Sequence, residues 1–281
     1  MSAMLIRSSF QAFQSAPLTF RIAVAWLLLL VVAIVLEPVI TGWAYDEIDW
    51  SSLNSPPSAI HWFGTDGAGR DLLTRTLVGG RISLTIALLA TLVSFSIGII
   101  IGGACGYLGG WVDQILMRIV DGLYAVPFVL VVILLVVLFG RSIYLLFLGL
   151  GALSWLDIAR ISRGQAMVVN QQSYVLSAKA MGLSEAQILL RHVIPNILNP
   201  AIVYATLTVP GVIIAESFIS YLGLGVQEPL TSWGVLISIG TKNIHSSPWQ
   251  LTFPALVLAG TLLALYVISD HLQQRLTTAH R

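Results

Sequence analysis

The sequence predicts an all-α integral membrane protein of about six transmembrane helices, organised as a single domain over residues 1–281. Three observations lead there. Of 281 residues, 57% are hydrophobic and only 10% charged, with a mean hydropathy of +0.88, against about 25% charged in soluble chains. The few charges leave long uncharged intervals, each a candidate span once it reaches roughly 18 residues. The apolar runs are also continuous rather than alternating, which selects helices over the strands of a membrane barrel. A formal net charge of +1 supplies no basic surface to neutralise phosphates, so nucleic acid is excluded as a partner. The single cysteine, Cys105, rules out an internal disulfide and a thiolate zinc site, and its apolar surroundings make it a packing residue rather than a reactive one.

The elements follow in order. Residues 1–20 form an N-terminal tail. The first span, Ile22 to Leu36, holds 15 uncharged residues before Glu37-Pro38. It lacks a small-x-small cleavage pattern and is followed by further apolar runs, so it is expected to be an uncleaved anchor. The 41–80 segment carries the turn-rich Ser55-Pro56-Pro57-Ser58 and Gly64-Thr65-Asp66-Gly67, then Asp71 and Arg75 at the i,i+4 spacing of a short helix. The second span lies in the 31 uncharged residues between Arg81 and Asp113, the third in the 19 between Asp121 and Arg141, and the fourth in the 15 from Ser142 to Leu156. A loop over 159–195 precedes the fifth span, among the 24 residues between Arg191 and Glu216, and the sixth lies in the 27 between Lys242 and Asp270. With the N-terminus inside, Arg7, Arg21, Arg118, Arg160, Arg163, Lys179, Arg191, Arg275 and Arg281 fall inside, and Arg70, Arg75, Arg81, Arg141 and Lys242 outside. Lys and Arg concentrate on cytoplasmic flanks, so both termini and the 159–195 loop are expected to be cytoplasmic, and the 41–80 segment external.

Within the second span Gly98, Gly102, Gly106 and Gly110 recur every fourth residue. Such a stripe lets helix backbones approach closely; lining a pore is the alternative reading. Charges at membrane depth are expensive and mark function by default. Asp157, with Arg160 three residues on, reads as a local ion pair. Asp121 and Glu216 are candidates for the translocation path. Pro210-Gly211 before Glu216 suits a broken helix near a cavity; the alternative places Glu216 at the outer mouth.

Signatures of enzymes are not found: no Gly-x-Ser-x-Gly, His-Glu-x-x-His, Cys-x-x-Cys or phosphate-binding Gly-x-x-x-x-Gly-Lys-Ser/Thr occurs, and the five histidines lack metal-ligand spacing. The chain is therefore expected to be no enzyme and to hold no cofactor. A lone ion-driven transporter or channel would need acidic or histidine relays and repeated halves, and neither is evident. The 159–195 loop has its own grammar. Residues 174–181 read as a helix stopped by Gly182, Ser184-Glu185-Ala186-Gln187 as the capping box of a second helix, and Pro195 closes it. Two short helices hinged at a glycine either lie on lipid or dock in a partner's groove.

At this loop the chain resembles the binding-protein-dependent permeases of bacterial ABC importers, whose coupling loop runs Glu-Ala-Ala, three residues, Gly, nine residues, Ile-x-Leu-Pro. The matching positions are Leu176-Ser177-Ala178, Gly182, then His192, Ile194 and Pro195. The spacing is kept, but Leu176 stands at the Glu position and His192 at the Ile position. Gly64-Thr65-Asp66, Gly69-Arg70-Asp71, Gly80-Arg81-Ile82-Ser83-Leu84, Gly106-Tyr107-Leu108-Gly109-Gly110 and Arg191-His192-Val193-Ile194-Pro195-Asn196 are similar to the dipeptide, oligopeptide and nickel branch. Ala44-Tyr45-Asp46, the stretch from Ser154 to Arg160 and that from Glu216 to Pro229 look most like the C-type subunit of an oligopeptide permease. Ser269-Asp270-His271-Leu272 departs from the family's Gly-Asp-Gly-Leu-Arg-Asp-like tail.

The resemblance implies a type I ABC importer permease fold in a bacterial inner membrane. It implies a homologous B-type permease subunit, two ATPase subunits that hold the ATP and Mg, and an external peptide-binding protein that delivers peptide. A dipeptide or nickel importer of the same branch is the alternative. The coupling contact would fall on Leu176, Ser177, Ala178 and Gly182, with Ile194 and Pro195 fixing the start of the fifth span.

Overall fold

The structure, a computed structural model, describes residues 16–279. Arg7 and most of the N-terminal tail, with Arg281, lie outside the described residues. Five helices are long and apolar enough to cross a bilayer, or six if a bent pair counts as one span.

Helix α1 (Leu18–Val35) is apolar on every side beyond Arg21 and buries only Ala23, Leu30 and Ile34, the pattern of a helix with most of its surface in lipid. Its Trp26 ring rests on Gly260, where a Cβ would come within 2.8 Å of the indole. Helix α2 (Glu37–Thr41) stops at Gly42, whose φ of 67° suits a residue without a side chain.

Helix α3 (Leu72–Leu108) is the axis of the molecule. Its 37 residues span about 55 Å at 1.5 Å per residue, longer than the roughly 30 Å hydrocarbon core. The Asp71 carboxylate accepts the Thr74 N–H at 2.8 Å and starts the helix. The helix predicted around Asp71 and Arg75 is thus the first turns of α3, which takes in residues 72–80 of the 41–80 segment.

Helices α4 (Gly110–Tyr124) and α5 (Phe128–Phe139) meet at 82°. A single straight span over 122–140 is therefore corrected. Pro127 has no N–H and forces the residue before it out of helical geometry, so the helix must stop and restart. The 12 residues of α5 reach only about 18 Å, too short to cross alone.

Helix α6 (Ile143–Asn170), capped by Ser142, runs well past Asp157 and carries Arg160 and Arg163 on it. The 159–195 loop is correspondingly shorter and begins after Asn170. Two short helices follow, α7 (Ser173–Ala180) and α8 (Glu185–Ile188). A π-helical turn over Leu189–Val193 then leads directly into α9 (Ile194–Tyr221). Pro195 does not close the second loop helix as expected. It lies in the first turn of α9, and the wider turn before it accommodates a ring that would press on the carbonyl four residues back. Helix α9 is also continuous through Pro200 and Pro210, so the break expected at Pro210-Gly211 is absent.

Helix α10 (Trp233–Lys242), which the charge intervals do not foreshadow, and α11 (Trp249–Ala279) complete the chain. Two apolar cores form. One gathers Leu77, Ile86, Ile213 and Trp233 near the start of α3, and the other gathers Tyr107, Val175, Ile188 and Ile197 near its end.

Helix α3 packs along α6 through glycines. A Cβ on Gly102 would stand 2.2 Å from the Ala159 carbonyl oxygen, one on Gly106 2.2 Å from that of Arg163, and one on Gly98 2.7 Å from the Ile158 Cβ. Gly110 is not part of this seam. It has φ 55° with nothing within 4 Å of a built Cβ and opens α4 after the turn at Gly109. On α6, Gly151 takes the next place in the seam, and its carbonyl accepts the Ser94 hydroxyl at 3.0 Å.

Candidate functional site

The α7–α8 unit lies at the far end of α3 from the 41–71 segment. Helix α7 ends in a left-handed residue, Gly182 (φ 78°). The Gly182 N–H donates to the Lys179 carbonyl at 3.0 Å and the Leu183 N–H to that of Ala178 at 3.3 Å. This paired closure needs the positive φ that glycine adopts without strain. Ser184 and Gln187 then form a reciprocal capping box that starts α8.

Ala178 is not on the outer surface of this unit. It is buried with Val175, Ile188, Val193 and Ile197, because i and i+3 positions of α7 share one face. Leu176, 54% exposed, and Ser177 turn outward, and Met181 at the tip is 73% exposed. Tyr174 and Leu190 are also exposed apolar side chains of the loop. Ile194 is half-buried and Pro195 exposed at the base.

The unit is tied to α3 by polar groups. The Tyr107 hydroxyl donates to the Glu185 carboxylate, and the Asn170 side-chain amide donates to the Tyr107 carbonyl at 3.0 Å. Lys179 donates to Asn170 at 2.9 Å and sits 4.8 Å from the Tyr107 ring centroid. The ends of α3 and α6 and both loop helices therefore converge on Tyr107. Sequence reasoning did not single out this residue, although it lies in the Gly106–Gly110 stretch.

The charged residues near the spans have partners other than those expected. Arg160 does not pair with Asp157. It donates to Asp121 on α4 at 2.8 Å and lies over the Tyr124 ring. Asp121 is thus half of an exposed ion pair. Arg163 grips Asp113 through two bonds of 2.5 and 2.6 Å, the bidentate geometry available to a guanidinium.

Glu216 is 0% exposed. Its carboxylate accepts the Ser83 hydroxyl at 2.9 Å and the Ser220 hydroxyl at 2.7 Å. The Ser83 oxygen in turn accepts the Trp233 N–H at 3.3 Å. Glu216 therefore joins α3, α9 and α10 within the packed interior, and the chain by itself gives it neither an outer mouth nor an open path.

The 41–71 segment covers the start of α3. His61 bridges Asp71 at 2.9 Å and Asp49 at 3.3 Å. Hydrogen bonds from Ser51 and Ser52, with a smaller one from His61, hold the Asp49 carboxyl well below the usual carboxylate range. Arg70 donates to Asp66 at 2.8 Å and to Glu228 at 3.0 Å. Burial would lower the Arg70 guanidinium, but these two carboxylates outweigh it and raise it. Gln250 and Trp249 of α11 bond the Thr65 carbonyl at 3.2 Å each, which fastens the segment to the bundle as a cap.

The structure is thus a bundle of long apolar helices with a glycine-stopped helix pair at one end and a covering segment at the other. Residues 94–279 match the family described as binding-protein-dependent transport system inner membrane component, and the chain belongs to that family. It is 44% identical over 266 residues to the oligopeptide transport system permease protein OppC of Haemophilus influenzae, covering 93% of this chain and 86% of that one. The protein of the same description from Escherichia coli K12 is also 44% identical, over 93% and 88%. The dipeptide transport system permease protein DppC of Bacillus subtilis is 44% identical over 89% and 78%. As a transport component, the chain is not an enzyme.

Proposed function

We propose that this chain is the C-type permease subunit of an ATP-driven oligopeptide importer of a bacterial inner membrane. It pairs with a homologous B-type subunit, rests on two ATPase subunits and receives peptide from an external binding protein. ATP and Mg are held by the ATPase subunits. The α7–α8 unit and both termini face the cytoplasm, and the 41–71 segment faces the outside. The observation that carries the reading is the exposed apolar tip at Leu176 and Met181, mounted on a unit that polar bonds fix to the end of α3. A tip of this kind suits docking in a groove. Because α3 is one continuous helix, displacement of the unit tilts the whole axis rather than a local turn. Closure of the ATPase pair would drive the two permease subunits from inward-facing to outward-facing, and reopening would reset them. The element is then two-state and biased from both ends, by nucleotide inside and by loaded binding protein outside.

A dipeptide importer is the second reading, favoured by the relative from the dipeptide system at equal identity. The test is cross-linking from Met181→Cys in the assembled complex, with the native Cys105 buried and Leu28→Cys on exposed α1 surface as the control. A product joining position 181, and not position 28, to an ATPase subunit is expected. Absence of that product in complexes that contain both subunits would overturn the docking role.

A further inference from the structure

Asp157 is an acidic residue on a spanning helix that the account so far leaves without a task. It lines a cavity of about 260 Å³ with Ser154, Tyr204 and Thr208, and a second of about 360 Å³ with Ser154, Tyr124 and Pro127. Ser154 and Asp157 belong to both, so the carboxylate stands where the two meet. It lies 14 residues along α6 and Thr208 lies 14 residues along the antiparallel α9, each about 21 Å from its helix start. The site therefore lies about midway along both helices. Among the described residues Asp157 makes no hydrogen bond and no ion pair, because Arg160 turns away to Asp121.

Three features thus coincide at one place. They are a carboxylate without a partner, hydroxyl-bearing side chains on facing helices, and an interrupted helix at Tyr124–Phe128. Irregular backbone at membrane depth is accommodated where it lines a cavity or is buried in protein, and broken helices beside ionisable groups mark substrate sites in membrane transporters.

We propose that this double cavity is a substrate station of the translocation path in which the Asp157 carboxylate takes the α-ammonium group of the peptide, with the Tyr204 and Thr208 hydroxyls facing its first amide groups. The inference rests on the peptide-importer reading above. The α-ammonium is the cation that unmodified peptides share whatever their side chains. One fixed carboxylate can therefore orient a varied substrate, while the cavity's size and hydroxyls leave side chains unspecified. A charge-assisted hydrogen bond of this kind corresponds to roughly a ten-fold preference or more.

The test uses the complete importer, with its ATPase subunits and binding protein, in proteoliposomes. Uptake is compared for a peptide with a free amino terminus and for its N-acetylated form, both shown to load the binding protein. Wild type should prefer the free amine about ten-fold or more. D157N should lose that preference by slowing the free-amine peptide alone, and D157E should retain it. Equal slowing of both peptides, an unchanged preference, or loss of the sister permease from D157N complexes would overturn the proposal, the last by assigning the carboxylate to the subunit interface. Wild-type vesicles that take up neither form would instead refute the importer reading itself. If D157N does not accumulate in the membrane, a photoreactive residue placed at Leu207, which lines the same cavity, decides. It should label the free-amine peptide during turnover, in competition with other free-amine peptides, and absence of labelling would overturn the proposal.

Discussion

Replacing Gly102 by alanine should weaken the protein, because the added methyl has no room against α6. The new Cβ would sit 2.2 Å from the Ala159 carbonyl oxygen and 2.8 Å from the Ser162 Cβ. Ordinary contact begins near 3.4 Å, so α3 and α6 must separate by about 1 Å along a seam that Gly98 and Gly106 also close. Backbone cannot swing aside as a side-chain end can. Overpacking of this kind costs about 1–3 kcal/mol, and it outweighs the roughly 1 kcal/mol that alanine gains over glycine in a helix. Gly164, on α6 with nothing within 4 Å of its built Cβ, supplies the control, where only the propensity gain applies. The assay is the midpoint of thermal unfolding in one detergent, followed by tryptophan fluorescence. A destabilisation of 1 kcal/mol lowers the midpoint by about 2–4 °C in a chain of this size. Net of the propensity gain, G102A should therefore fall by up to about 8 °C, while G164A, which has the gain alone, should rise by about 2–4 °C. Equal midpoints for G102A and G164A would refute close backbone approach as the basis of the α3–α6 seam.

The remaining predictions concern the loop and the cap. Gly182→Pro removes the N–H that closes α7 and imposes a φ near −65° where 78° is needed; ATP hydrolysis stimulated by loaded binding protein should be lost while the chain stays in the membrane, as measured on purified complexes. Tyr107→Phe removes only the hydroxyl bond to Glu185 and should leave assembly intact while lowering stimulated over basal ATPase activity several-fold. The lowered Asp49 carboxyl contributes stability that is complete above its unfolded value near 3.9 and is lost as pH falls through the folded value. Protease protection of the 41–71 segment should accordingly hold from pH 7 to about pH 4 and decline below it, with a shallower decline in Asp49→Asn.

The positions of most spans can be read from charge spacing, because burying a charge in hydrocarbon is costly enough to mark the ends of each helix. What that spacing misses is structure inside an uncharged run. The break at Pro127 falls inside the 122–140 interval, where only the proline itself signals it. Helix α10 escapes because ten residues between turns are too few to stand out as a span. The loop's local devices, Gly182 and the Ser184–Gln187 box, are visible because cap chemistry is contained within four residues. Long-range partners are not. Arg160 has Asp157 three residues before it but pairs with Asp121, 39 positions earlier, and Glu216 is held by Ser83, 133 positions earlier. A carboxylate after a long apolar run reads as an interface residue unless those hydroxyls are known to face it. Gly110 shares the four-residue rhythm of the seam, yet the turn at Gly109 ends α3 before reaching it. Ala178 lies within the coupling-loop motif but on the inner face of α7, a distinction set by tertiary packing against α8 and α9.

The central claim, that this chain couples ATP hydrolysis by partner subunits to peptide entry, is tested most directly by reconstitution. The chain carrying an affinity tag is extracted gently, its partners are identified by mass, and the complex is placed in vesicles with ATP and peptide-loaded binding protein. The account predicts recovery of a sister permease and two ATPase subunits, with peptide uptake that requires both ATP and the binding protein. A chain that purifies alone and moves solute without ATP would contradict it.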